Sequence, residues 1–99
     1  MKREIIFRSC AEKDISVAVR WYEAKVSGLG KRFLLSLDAT IQSISRNPEA
    51  FPKVYKEFRR SLLRKFPYSI FYIIAGSKII VFAVFHEKRN PKNWKKRTK

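Results

Sequence analysis

The sequence predicts an α+β domain of two layers: an N-terminal strand, an antiparallel helix hairpin, then a three-stranded antiparallel sheet. Three observations predict it. Apolar residues recur every three or four positions in the first half of the chain and every second position in much of the second half. Glycines at 28 and 30 and prolines at 48 and 52 punctuate the helical half where a hairpin needs a turn and a stop. A chain of 99 residues makes one domain, spanning 1–99; at that size about 60–70% of the unfolded surface is buried, enough for two layers and not three.

Residues 2–8 alternate, with Ile5 and Phe7 on one face and Glu4, Ile6 and Arg8 on the other, a short strand. Ser9 stands three positions before Glu12, the spacing of a capping box, so a helix is expected there. Its apolar stripe is Ile15, Ala18, Val19, Tyr22 and Val26, with Lys13, Arg20 and Glu23 facing water. The stretch SGLG at 27–30 reverses the chain, and a second helix carries Phe33, Leu34, Leu37, Ile41 and Ile44 on one side. It stops at NPEAFP, residues 47–52. Residues 53–58 form a short extended piece. Residues 59–66 read as a strand, FPY turns it, and 68–74 is the next strand. AGSK is a second turn, with Gly76 free to take positive φ, and 78–86 is the last strand. A basic tail with Trp94 fills 87–99.

The last two strands are apolar on both faces. Tyr68, Ile70, Tyr72 and Ile74 alternate with Ser69, Phe71 and Ile73, and Ile79, Val81, Ala83 and Phe85 alternate with Ile80, Phe82 and Val84. Two helices cover only one face of a sheet. The other face must therefore meet the tail, a twin subunit or another protein, since large open apolar patches mark interaction sites.

Charge points the same way. The chain carries a net +15, with nine Lys/Arg and six Asp/Glu in residues 1–50 but fourteen Lys/Arg and two acids, Glu57 and Glu87, in 51–99. Positive charge confined to one half is the footprint of a polyanion or an acidic protein partner. One cysteine, Cys10, forms no internal disulfide and fits a reducing compartment. The start, MKREIIFRSC, lacks the long apolar stretch of a signal peptide, and the run 79–85 is too short to cross a membrane. A soluble cytoplasmic protein without membrane contact is expected.

The chemistry available is limited. Two separated acids in the basic half do not hold a pair of metal ions, one Cys and one His do not make a zinc site, and no Gly-rich phosphate loop occurs. Neither a metal nor a cofactor is expected. His86, at the end of the last strand, is either a general acid or base or a hydrogen-bonding surface residue. Metal-free RNA cleavage would use cations around a phosphate, with Arg60, Arg64, Lys65, Arg89 and Lys95 available. By alternation Arg60, Leu62, Arg64 and Phe66 share a face, so Arg60 and Arg64 are expected to flank one site. Trp94 either stacks on a base or, more commonly for a tail tryptophan, pins the tail to the core.

Taken together, AEKDISVAVRWYEAKVSGLGKRFLLSLDATIQSISRNPEAFP, RRSLLRKFPYSIFYII and IIVFAVFHEKRNPKNWKKR cover nearly the whole chain. In their order and spacing they resemble the RelE/ParE superfamily, the toxic halves of type II toxin–antitoxin pairs. The FPY–IFY hairpin followed by FHEKRNPKNW is most like the ParE, or plasmid-stabilisation, branch. That branch, the resemblance implies, poisons DNA gyrase and halts replication and growth with no catalytic residues of its own. The RelE branch is instead a ribosome-dependent mRNA endonuclease working through Lys, Arg and Tyr. In the RelE pattern an arginine follows the tyrosine that opens the middle strand; here Ser69 follows Tyr68, and the tail has no tyrosine.

If the chain is RelE-like, the resemblance makes Arg60, Arg64, His86 and Arg89 catalytic, so whether it is an enzyme depends on the branch. Candidates for target binding are Arg59, Lys65, Trp94, Lys95, Lys96 and Arg97. A cognate antitoxin would lie over the open sheet face, on Phe71, Ile73, Phe82 and Val84. A homodimer or a toxin–antitoxin heterotetramer is implied as the assembly. An inactive relative that binds only an antitoxin is the third reading.

Overall fold

The structure, a computed structural model, describes residues 3–98; the first expected strand residue, Lys2, and the last tail residue, Lys99, lie outside them. Strand β1 (Glu4–Phe7) leads into helices α1 (Ser9–Lys25) and α2 (Leu29–Arg46). A 3-10 turn (Pro48–Ala50) is followed by strands β2 (Lys53–Tyr55), β3 (Phe58–Leu62), β4 (Tyr68–Ala75) and β5 (Lys78–His86). A short helix, α3 (Lys92–Lys95), and a closing 3-10 turn (Lys96–Thr98) form the tail.

The expected α+β class and helix hairpin are present, but the sheet has five strands in the order β1-β5-β4-β3-β2 rather than three. β1 pairs parallel with β5, Ile5 opposite Ile79 and Phe7 opposite Val81. The other pairings are antiparallel. Alternation identifies a strand without naming its neighbour, which is why β1 joins the sheet unannounced. The strand read at 59–66 ends at Leu62, because Lys65 takes a left-handed φ of 67° and turns the chain early.

The expected capping box does not form. Ser9 is already helical, Arg8 is the cap without a side-chain bond, and the N–H groups of Ala11 and Glu12 go to the Arg8 carbonyl. The Arg8 N–H is itself bound to the Val81 carbonyl, so the sheet fixes where the helix begins. Glu23, read as a water-facing residue, instead closes the hairpin. Its carboxylate accepts the N–H groups of Gly28 at 2.9 Å and Gly30 at 3.0 Å, and these bonds hold its pKa below the usual carboxylate value. Gly28 has φ 87°, and a Cβ on Gly30 would sit 2.9 Å from the Val19 carbonyl oxygen. The helices pack closely there because residue 30 has no side chain.

The main core lies between hairpin and sheet: Ala11, Ala18 and Tyr22 from α1, Phe33, Leu37, Ile41 and Ile44 from α2, and Ile70, Tyr72, Ile79, Val81 and Val84 from the sheet. Val26 and Leu34, read as part of the stripes, are exposed. The Tyr72 hydroxyl donates to the Pro48 carbonyl at 2.6 Å, so the buried phenol is not left unpaired.

A β-bulge corrects the reading of the last strand. Phe71 faces Ala83 but Tyr72 faces Val81, so Phe82 is an extra residue. Alternation changes phase across it. Val84 joins Ile79 and Val81 under the helices, while Ala83 and Phe85 join Ile80 and Phe82 on the outer face. That face is not left open. Trp94, 1% exposed, stacks on Phe71 at 4.3 Å and closes a second core with Phe58, Phe82, Ala83 and Phe85. The pinning reading of Trp94 therefore holds, and Phe71 and Phe82 are covered by the chain's own tail.

The bulge takes the Phe82 carbonyl and the Val84 N–H out of the ladder, and α1 and the tail supply their partners. The Val84 N–H donates to Asp14 at 3.0 Å. The Cys10 thiol and Arg97 donate to the Phe82 carbonyl at 3.4 and 3.1 Å. Arg97 forks onto both Asp14 oxygens at 2.7 and 3.0 Å, and this bond, ahead of the opposing effect of burial, raises the Arg97 pKa. Asp14, its side chain 6% exposed, thus ties α1, the bulge and the tail together.

Two outcomes test this architecture. Asp14→Ala strands the Arg97 charge and the Val84 N–H, and should cost about 3 kcal/mol, read as a lower Tm together with a red shift of Trp94 emission in a Trp21→Phe background. Unchanged Trp94 emission would show that the tail does not depend on Asp14. Burial, first, raises the Tyr72 pKa from 10.0 to about 12, opposed by the charge of Arg59. A pKa raised on folding contributes stability that is complete below pH 10 and is lost as pH approaches 12. The stability difference between the natural chain and Tyr72→Phe should therefore shrink across that window in chemical denaturation. A difference constant with pH would refute it.

Candidate functional site

Two concavities flank the helix hairpin. The first is a cleft of about 430 Å³ between α1 and the adjoining ends of β4 and β5. Register places it: Tyr68, first in β4, is opposite His86, last in β5, and their rings meet edge-on at 5.2 Å. Lys13 and Asp14 line it from α1, Arg89 and Arg97 from the tail side. The Arg89 guanidinium lies 3.8 Å from the Phe85 ring centre and 3.6 Å from Asp14.

The chemistry of this cleft is that of donors. Nδ1 of His86 accepts the Lys88 N–H at 3.0 Å, so in the neutral ring Nε2 carries the proton and offers a donor rather than a base. Burial foremost raises the Tyr68 pKa, which keeps its phenol protonated. Asp14, the carboxylate present, is spent on Arg97 and Val84. The cleft can hold an anion, but among the described residues the carboxylate and the imidazole that line it are both engaged and not free to take a proton from a nucleophile.

The second concavity is a groove of about 1300 Å³ between α2 and the β3–β4 loop. The loop is tied down: Ser36 Oγ donates to the Arg64 carbonyl at 2.6 Å, and the Leu63 N–H donates to the Tyr68 carbonyl at 3.0 Å. Arg64 and Lys65 stand on the loop side of the groove and Arg32 and Arg46 on the α2 side.

The structure separates the residues that sequence reasoning grouped. His86 and Arg89 line the cleft, Arg64 lines the groove, and Arg60 is exposed on β3 opposite Phe71, on the outer sheet face. Arg60 and Arg64 do not flank one site, because β3 ends between them. Arg59 is tethered, donating to the carbonyls of Glu49 at 3.0 Å and Phe51 at 2.6 Å. Arg97 is committed to Asp14. Lys95 lies over the Tyr55 ring at 4.9 Å, Lys96 is exposed, and Lys65 faces the groove.

Of the residues read as an antitoxin surface, Val84 is beneath α1 and Phe71 and Phe82 are beneath Trp94. Ile73 remains partly accessible. Asp14 was overlooked as a functional position. Its signal was available, since Ala11, Asp14, Ala18 and Tyr22 follow a three-four-four spacing on the buried face of α1, and an acid on such a face requires a partner.

The model for "ParE toxin of type II toxin-antitoxin system, parDE" matches residues 5–91. Toxin ParE2 of Mycobacterium tuberculosis, strains CDC 1551 / Oshkosh and ATCC 25618 / H37Rv, is 29% identical over 92 residues, covering 92% of this chain and 88% of that protein. Among solved structures, a chain of the chromosomal ParDE toxin–antitoxin system from P. aeruginosa matches with a TM-score of 0.63 at 13% identity, covering 86% of this chain and 96% of that one. A chain of the toxin–antitoxin complex RelBE2 from Mycobacterium tuberculosis matches with a TM-score of 0.60 at 15% identity, covering 87% and 99%. At those identities the structural likeness concerns the fold alone, which this chain shares with both toxin–antitoxin system structures. With the family model running from β1 to the residue before α3, the chain belongs to the ParE toxin family of type II toxin–antitoxin systems.

Proposed function

We propose that this toxin arrests growth by binding DNA gyrase and stalling replication, not by cleaving RNA, and that a cognate antitoxin protein neutralises it. The observation that carries this reading is the dispersal of the ribonuclease candidates. Arg60, Arg64 and the His86–Arg89 pair stand on three different surfaces, while metal-free cleavage requires cations converging on one phosphate. Ser69, where the RelE pattern has an arginine, is 4% exposed and sits in the sheet between Leu62 and Phe85. His86 has no free ring lone pair in its neutral form. Binding needs none of this machinery. It needs a rigid basic surface, and the pinned tail presents Lys88, Lys92 and Lys96 to solvent. The ParDE and RelBE2 matches come from toxin–antitoxin complexes, which supports an antitoxin as the partner here.

A supercoiling assay with purified protein decides between the branches. Loss of gyrase activity, with mRNA left intact on translating ribosomes, is the expected result; mRNA cleavage with unimpaired supercoiling would reverse the assignment. In cells, His86→Ala should arrest growth as the natural chain does, and a loss of arrest in a folded His86→Ala protein would restore the enzyme reading. Lys95→Glu with Lys96→Glu should weaken gyrase inhibition roughly tenfold or more by reversing charge at the tail, while stability changes by less than about 1 kcal/mol. Full inhibition by that variant would remove the tail from the target surface.

A further inference from the structure

The cleft beside α1 carries more positive charge than its carboxylate consumes. Three fixed cations line it, Lys13, Arg89 and Arg97, against one carboxylate among the described residues, Asp14. The Arg97 fork cancels Asp14. Lys13 and Arg89 are left over, a surplus of two positive charges while His86 is neutral. Like charges gathered in a concave site favour an anion between them.

The groups left over are donors. The Arg89 guanidinium lies over the Phe85 ring and stands 3.6 Å from Asp14, beyond hydrogen-bond reach, so its in-plane N–H groups serve another acceptor. Nδ1 of His86 takes the Lys88 N–H, which leaves Nε2–H as the donor. Burial first, then Tyr22, raises the Tyr68 pKa while the charge of Arg89 opposes them. The Tyr68 phenol therefore keeps its proton beside the guanidinium. Lys13 is exposed on α1 and reaches the cleft from the helix side.

Beyond these donors the wall is apolar. Ala18 and Val84 line the cleft, and so does Val17, which is 51% exposed; one turn further along α1, Trp21 is 55% exposed. Lys13, Val17 and Trp21 stand at successive four-residue steps of α1, about 6 Å apart along one side of the helix. A group attached to an anion at Lys13 and Arg89 would lie along Val17 and reach the Trp21 indole. At about 430 Å³ the cleft falls within the range of about 300–1,000 Å³ found for small-molecule sites.

We propose that this cleft binds a nucleoside monophosphate, with the phosphate monoester among Lys13, Tyr68, His86 and Arg89 and the base against Trp21. Charge selects the anion. A phosphate monoester carries about −1.5 to −2 at pH 7 and matches the surplus of two. A phosphodiester or a carboxylate brings a single negative charge and leaves one cation unmatched. The exposed indole selects a flat partner for stacking. The site is independent of the gyrase reading and stands or falls separately from it.

The test titrates the full chain by calorimetry, at fixed ionic strength, with adenosine 5′-monophosphate, adenosine, inorganic phosphate and a dinucleoside phosphodiester. The nucleotide should bind tightest of the four. Lys13→Gln and Arg89→Gln should each weaken it about tenfold or more, and Tyr68→Phe about fivefold. Trp21→Ala should weaken the nucleotide about fivefold or more and leave inorganic phosphate unchanged. Lys31→Gln, on α2 outside the cleft, should bind as the natural chain does. Equal losses in Lys13→Gln and Lys31→Gln would show attraction to net charge alone and overturn the site. Adenosine or inorganic phosphate bound as tightly as the nucleotide would overturn the ligand class. Tighter binding of the diester would reassign the cleft to nucleic acid and overturn the proposal. If Arg89→Gln or Tyr68→Phe folds poorly, Lys13→Gln and Trp21→Ala, both at exposed positions, decide. No binding by the natural chain at millimolar nucleotide would overturn the proposal, whatever its effect on gyrase.

Discussion

The buried Asp14 carboxylate is the interaction on which the arrangement of this molecule turns. A charge in that position is costly unless paired and hydrogen-bonded on every side. Here both oxygens are engaged by the planar fork of Arg97, and one also takes the Val84 N–H. A bidentate guanidinium–carboxylate pair fixes direction as well as distance, so the pair sets where the tail crosses the sheet. It also compensates the bulge at Phe82, whose displaced backbone groups find partners in Asp14, Arg97 and Cys10. Remove the carboxylate and three elements lose their common fixed point.

The position of Trp94 follows from that crossing. With Arg97 anchored and Arg89 laid over Phe85, the intervening turn of helix presses the indole onto Phe71, Phe58 and Phe82. The outer sheet face thereby becomes a second small core at its centre. A surface that would otherwise be an aggregation hazard in so short a chain is closed internally, and the cover that the sequence requires there is partly supplied by the chain itself. The indole Nε1, buried without a hydrogen-bond partner among the described residues, is the cost of this closure.

With the centre of the outer face closed, charge distinguishes the two concavities. In the cleft, two of the cations are used to hold the fold, and the remaining donors surround a carboxylate already engaged. Among the described residues no carboxylate lines the α2 groove, and its cations stand beside the exposed Leu35. The same residue types thus serve two purposes, and what separates them is whether a buried acid lies within reach.

Much of the fold was legible in the sequence. Gly28, Gly30, Pro48 and Gly76 mark the turns where they occur, and β5 runs from Lys78 to His86 as its apolar run implies. Phe33, Leu37, Ile41 and Ile44 keep the helical spacing and all four are buried. The site was far less legible. Alternation placed Arg60 beside Arg64 and Val84 on the outer face; it failed at Arg64 because β3 ends at Leu62, and at Val84 because an extra residue at Phe82 changes the phase of the strand. Local periodicity records which way a side chain points only while the backbone stays regular.

What the sequence by itself determined was the class of fold, the basic character of its second half and the need to cover two apolar faces. These depend on composition and on contacts within a few residues. What the tertiary structure alone decided was which residues meet. Asp14 and Arg97 are separated by eighty-three positions, and the tail's route over the sheet and the grouping of Arg32, Arg46, Arg64 and Lys65 in one groove likewise join distant segments. No local pattern encodes such pairings, because they are set by how the hairpin and the tail pack on a sheet whose strand order and bulge exist only once the chain has folded.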